Sequence, residues 1–160
     1  MKPILLATDG SPAAERATDT AIELAKLLGA ELVVTTVWSI PALTVGFAPT
    51  PLPADIGTPA EDEARRIAAE AASRAEKAGV ETRLAVLRGF PAEEICLVAD
   101  RYDPRFLVIG SHGWGAFKRA VFGSVSTSVL HHAHCPVLVV PGVKVEAGAA
   151  ANGTREHAHA

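Results

Sequence analysis

Aromatic side chains are scarce in this 160-residue chain, at 5% of positions, so Ala, Val, Leu and Ile must fill any core. Cysteine is nearly absent as well. Cys96 and Cys135 are too few for a disulfide scaffold and suit a reducing compartment. There is no surplus of basic charge: 15 Lys and Arg stand against 18 Asp and Glu, for a net charge of −3. That balance argues against a nucleic-acid-binding face and against electrostatic recruitment to a membrane. No apolar run reaches the roughly 20 residues that span a bilayer. The run after Lys2, from Pro3 to Ala7, is cut by Asp9, too soon for the apolar region of a secretory leader. The expectation is a soluble cytoplasmic protein with no membrane or nucleic-acid partner.

What is present is an alternation. Ile4 to Thr8 is a short apolar run of the kind buried on both faces of a parallel sheet. Ser11 then reads as a helix N-cap with Pro12 at the first helical position. Ala13, Ala17, Ala21, Leu24, Ala25 and Leu28 follow at helical spacing until Gly29. Glu31 to Val37 is a second strand, rich in β-branched residues. Thr58 and Glu61 form a capping box that opens a second helix ending at Gly79. A third strand (Thr82 to Leu87), a short third helix (Pro91 to Asp100) and a fourth strand (Phe106 to Ile109, closed by Gly110) come next. A fourth helix (Val125 to Ala133) and a fifth strand (Val137 to Val140) complete the series. Such alternation predicts an α/β domain over residues 1–142, a parallel sheet covered by helices on both faces. Two stretches fall outside it. Ser39 to Gly57 holds Pro41, Pro49, Pro51 and Pro53, and a connection that long is usually functional or mobile. Residues 143–160 have few anchors and read as a disordered tail.

The richest chemistry lies between the fourth strand and the fourth helix. Gly110-Ser111-His112-Gly113 is followed, nine residues later, by Gly123-Ser124-Val125-Ser126. Glycines let backbone amides approach a ligand, and a helix start offers unsatisfied N–H groups and a partial positive charge. Ser124 and Ser126 can donate to phosphate oxygens, and Lys118 and Arg119 can offset phosphate charge. Against this, Gly-rich strand-to-helix turns are common and Ser124 can be no more than a cap. The segment is not a Walker A loop, and Gly113-x-Gly115 is not completed at Lys118, so it is not the dinucleotide fingerprint.

These residues carry a resemblance. The spacing Gly110, Gly113, Gly123-Ser124, with Val125-Ser126, with His134-Cys135-Pro136 before the last strand, with Ala7-Thr8-Asp9-Gly10-Ser11 and with Gly89-Phe90-Pro91, resembles the universal stress protein family, in particular its ATP-binding branch. The resemblance covers about residues 2–141 and implies an open, Rossmann-like five-stranded parallel sheet of order 3-2-1-4-5. In such a sheet Asp9 and Gly110 would meet where the winding reverses, the usual ligand crevice. By the resemblance, Ala7, Thr8 and Asp9 would lie near ribose and phosphates, and Val37 at the adenine edge. Gly110, His112 and Gly113 would line the ribose and phosphate path, and Gly123, Ser124, Val125 and Ser126 would cradle the distal phosphates. A carboxylate beside phosphates needs an intermediary, so Asp9 is assigned a Mg²⁺ or Mn²⁺ bridged to phosphate; ribose contact or capping of the Ser11 turn are its alternatives. Arg105 departs from the family, which usually has an acidic residue there, and Trp114 is bulky for the glycine loop.

His131, His132, His134 and Cys135 suggest a metal, yet adjacent helical histidines diverge and zinc needs about four converging ligands. No base-and-nucleophile motif is assembled, so at most slow ATP hydrolysis or autophosphorylation is expected, by resemblance. The implied function is an ATP-dependent stress-response module. It would dimerise through the apolar last strand, Val137 to Val140, which would be a hazard if bare. A receptor for AMP or cyclic AMP and a nucleotide-free interaction module are the alternatives.

Overall fold

The computed structural model describes residues 1–39, 58–112 and 123–142. Its elements run β1 (Ile4–Ala7), α1 (Pro12–Leu28), β2 (Leu32–Trp38), α2 (Thr58–Lys77), β3 (Thr82–Arg88), α3 (Pro91–Tyr102), β4 (Phe106–Gly110), α4 (Ser124–His132) and β5 (Val137–Val140). The strands form one sheet of order β3-β2-β1-β4-β5, every neighbouring pair parallel. This is the expected Rossmann-like architecture. Strand β1 lies at the centre, with Ala7 beside Thr35 of β2 on one side and Ile109 of β4 on the other. The proline-rich 40–57 stretch and residues 143–160 lie outside the described residues.

Period-two alternation divides the strand residues between two cores. Ile4, Leu6, Leu32, Val34 and Val108 pack against α1 and α2 through Ala17, Ala21, Ala25, Ala68, Ala71, Ala72 and Ala75. Leu5, Ala7, Val33, Leu107 and Ile109 pack against α3 and α4 through Ile95, Val98, Ala99 and Val129. Alanine dominates the helix side of the first layer, so α1 and α2 lie close to the sheet, with Phe106 the partly buried aromatic packed against that layer among the described residues. Arg74 of α2 ties the two helices at their outer edge by pairing with Glu15 and Asp19 of α1.

Local chemistry explains most element ends. Ser11 caps α1 with its hydroxyl accepting from Ala14 N at 3.3 Å, Pro12 opens the helix, and Gly29 closes it at φ 60°. The Thr58 side chain of the expected capping box lies outside the described residues; the Glu61 carboxylate accepts from Arg65 Nε and Nη2 at 3.1 and 2.6 Å. Helix α3 extends past Asp100 to Tyr102 and ends on Asp103 at φ 46°, a left-handed conformation that short polar Asp tolerates.

Candidate functional site

Strand β1 ends in a turn held by its own side chains. Thr8 N continues the ladder to Thr35 O at 3.0 Å, and Thr8 Oγ1 accepts from Gly10 N at 3.3 Å. Asp9 Oδ1 accepts from Ser11 N at 3.0 Å, which is the turn-capping alternative among the expected roles of Asp9. Gly10 adopts φ 71°, and a Cβ there would stand 3.2 Å from Ile67 of α2. The turn is therefore fixed by conformation and by packing.

The hydroxyl of Ser11 also donates to His112 O at 3.2 Å, joining the β1 turn to the end of β4 across 101 positions. Gly110 sits beneath this contact. A Cβ on it would lie 2.8 Å from Ala13 C and Ala14 N, main-chain atoms that cannot give way. The glycine that the sequence marked for ligand approach thus answers to the packing of β4 on the first turn of α1.

Ser111 gathers the surrounding segments. Its N–H donates to Val140 O at 2.8 Å, and its carbonyl accepts from Gly123 N at 2.6 Å and from Ser126 Oγ at 3.0 Å. Its own Oγ accepts from Gly142 N at 3.2 Å and lies 2.8 Å from His112 Nδ1. No periodicity or motif signals this role, because its partners other than His112 lie 12 to 31 positions away; the residue was legible only as part of the glycine string.

Helix α4 starts with Gly123 as its cap, at φ −77° and ψ 165°, with no side chain capping the first turn and no acidic residue in it. Thr127 N reaches Gly123 O at 3.0 Å. Among the described residues the N–H groups of Ser124, Val125 and Ser126 have no acceptor. Ser124 is exposed, whereas Ser126 is 2% exposed and its hydroxyl is directed at Ser111 O and Gly123 O, both at 3.0 Å. In this structure Ser126 locks the helix start to β4 with its side chain, which leaves its amide, not its hydroxyl, as the group for a ligand. Three amides at the positive end of a helix, next to a glycine cap, form an anion-binding arrangement.

The contacts of Ser11 with His112 and of Ser111 with Gly123 and Ser126 thus bring the β1 turn (Thr8, Asp9), the end of β4 (Gly110, His112) and the start of α4 (Gly123, Ser124, Val125, Ser126) together, with Ala7 at the end of β1. Val37 is half-buried at the carboxyl end of β2, two residues beyond the partner of Ala7. Beside it, Thr35 Oγ1 and Thr36 Oγ1 are buried without a hydrogen-bond partner among the described residues. Gly113, Trp114, Lys118 and Arg119 lie outside the described residues. Among those described, no group of three or more His, Cys, Asp or Glu is placed to hold a metal. The histidines near the end of α4 serve locally: His132 Nδ1 is 2.7 Å from Ser128 O, and His134 Nδ1 is 3.1 Å from Asp100 Oδ1. Burial pushes both thiols, Cys96 and Cys135, above the usual cysteine range, with Asp100 adding to the effect.

Comparison with known proteins bears on the fold that carries these residues. A universal stress protein of Methanocaldococcus jannaschii is 33% identical over 156 residues, covering 91% of this chain and 85% of its own. A universal stress protein solved in complex with cAMP superposes with a TM-score of 0.65 at 26% identity, over 89% of this chain and 98% of the other. One from Archaeoglobus fulgidus in complex with dAMP gives 0.63 at 30% identity, over 88% and 98%. The model of the universal stress protein family matches residues 1–141, and the chain belongs to that family.

Proposed function

We propose that the protein binds ATP in the crevice between the β1 turn and the start of α4, and acts as a nucleotide-dependent stress-response module in the cytoplasm. The observation that carries this reading is the start of α4. Ser111 O and Ser126 Oγ hold it against β4, and the next three amides are left for an anion. The triphosphate would lie on the amides of Ser124, Val125 and Ser126 and on Ser124 Oγ, with Gly123 keeping the approach open. Ala7, Thr8, Asp9, Gly110, His112 and Gly113 would flank ribose and phosphates, and adenine would reach Val37. Asp9 would supply a carboxylate oxygen to a Mg²⁺ or Mn²⁺ held beside the phosphates. Turnover, if present, is slow ATP hydrolysis or autophosphorylation, with signalling through a homodimer.

A second reading, a receptor for AMP or cyclic AMP, is favoured by the relatives solved with cAMP and with dAMP. One set of measurements separates the two. Nucleotide released on denaturing the purified protein is identified by mass spectrometry, and ATP, AMP and cyclic AMP are titrated by calorimetry with and without Mg²⁺. ATP binding that strengthens with Mg²⁺ is expected, and preference for a monophosphate would establish the second reading. The double variant Gly123→Val/Ser124→Ala should abolish ATP binding with the fold retained. Unchanged affinity would refute the site, and no nucleotide bound at all would leave an interaction module.

A further inference from the structure

We propose that Ser111 is a positioning residue of the anion site: its hydroxyl holds His112 with the imidazole proton on Nε2, and its carbonyl holds the start of α4 beside that ring. The proposal rests on the nucleotide-binding reading for what His112 would meet, but not for the state of the ring itself. Ser111 is 3% exposed, so its O–H needs an acceptor inside the protein. Gly142 N already donates to Ser111 Oγ and therefore uses one of its lone pairs. Among the described residues, the acceptor placed for the O–H is His112 Nδ1, at 2.8 Å. Donation from Ser111 makes Nδ1 the lone-pair nitrogen and puts the proton of the neutral ring on Nε2. With the opposite tautomer, Nδ1–H would point at Oγ and the buried hydroxyl proton would be left without a partner among the described residues.

The choice has a chemical consequence. An Nε2–H group donates to a phosphate oxygen, whereas an Nε2 lone pair repels it. Ser111 thus sets the sign of the interaction that His112 has with an anion. Through its carbonyl it also fixes the distance between that ring and the amides of α4, since it holds Gly123 N at 2.6 Å and Ser126 Oγ at 3.0 Å.

The test is two-bond ¹H–¹⁵N correlation of the ring of His112 in nucleotide-free protein, for wild type, Ser111→Ala and Ser111→Thr, paired with ATP calorimetry on each. Wild type and Ser111→Thr should show Nδ1 as the unprotonated nitrogen and Nε2 as the protonated one. Ser111→Ala should show averaged tautomers and about tenfold weaker ATP binding, the effect of losing one hydrogen bond to a charged group. A wild-type ring protonated on Nδ1, or a wild-type ring pattern in Ser111→Ala, would overturn the assignment. Should Ser111→Ala not fold, the wild-type and Ser111→Thr spectra decide the matter alone. Because the spectra need no ligand, wild type that shows the expected ring but binds no ATP overturns the nucleotide reading and leaves the control of the tautomer standing.

Discussion

Gly110 and Gly123 bound the same loop, yet they meet different demands. At Gly110 a Cβ would collide with main-chain atoms of α1 at 2.8 Å, so Gly110→Ala must push β4 and α1 apart. A loss of about 2–3 kcal/mol is expected from urea unfolding, in the range of core overpacking. At Gly123 a Cβ would be in ordinary contact, 3.4 Å from Ser111 O, and φ is −77°. Gly123→Ala should therefore unfold at the wild-type urea concentration, and any loss it causes should appear in nucleotide affinity. Thr35 poses the opposite case, a buried hydroxyl unpaired among the described residues. Replacing it with Val removes an unsatisfied donor at nearly constant volume and should stabilise by about 1 kcal/mol; a loss would reveal a partner for the hydroxyl. The thiols give a pH effect. With folded-state pKa values raised, Cys96 and Cys135 contribute stability that is fully present below the ordinary thiol pKa and is lost as pH rises through the folded value. Stability should fall above about pH 8.5, and Cys96→Ala/Cys135→Ala should flatten that limb of the denaturation curve.

Among the elements, α1 and α4 show two ways to begin a helix. Helix α1 has a full cap, with Ser11 for a first-turn amide, Pro12 in the next place and Glu15 in the first turn. Its start is closed to a ligand. Helix α4 has a glycine cap, no side-chain hydrogen bond capping its first turn among the described residues and no acidic residue there, so within those residues nothing offsets the positive end of its dipole. The contrast was legible in the residue types, since Ser-Pro and Gly-Ser are different helix openings. That Ser11 also holds His112 O was not. Ser11→Ala removes the cap and this bridge together. It should cost about 1–2 kcal/mol in urea unfolding, at the upper end for an N-cap because a second contact goes with it.

For the whole molecule, the sheet order leaves β3 and β5 at the edges, and the two are protected differently. Strand β3 carries Arg83 and Arg88. Arg83 pairs with Glu31 at 3.1 Å, and the two guanidiniums lie over Tyr102 and Trp38 at 5.7 and 5.6 Å. Charged edges discourage pairing with another chain. Strand β5 is Val-Leu-Val-Val with Leu138 36% exposed. Pairing of two copies through β5 would remove that edge and give an isologous dimer. Sedimentation velocity should find wild type at twice 16.6 kDa and Val139→Lys at the monomer mass; a variant that remains dimeric would place the interface elsewhere.

The local features were determined by the sequence alone: where strands and helices alternate, which serine and glycine begin and end α1, and which glycines open α4. These depend on side chains within a few positions of one another, and propensity and periodicity report such neighbours. Only the tertiary structure decided what those residues touch. Gly110 is glycine because the main chain of α1 crosses it. Ser126 is buried beneath the helix start it was expected to serve as a phosphate donor, and Ser111 joins β4, α4 and the end of β5. Parallel strands bring residues 101 positions apart to the same edge of the sheet, and one-dimensional spacing carries no record of that meeting.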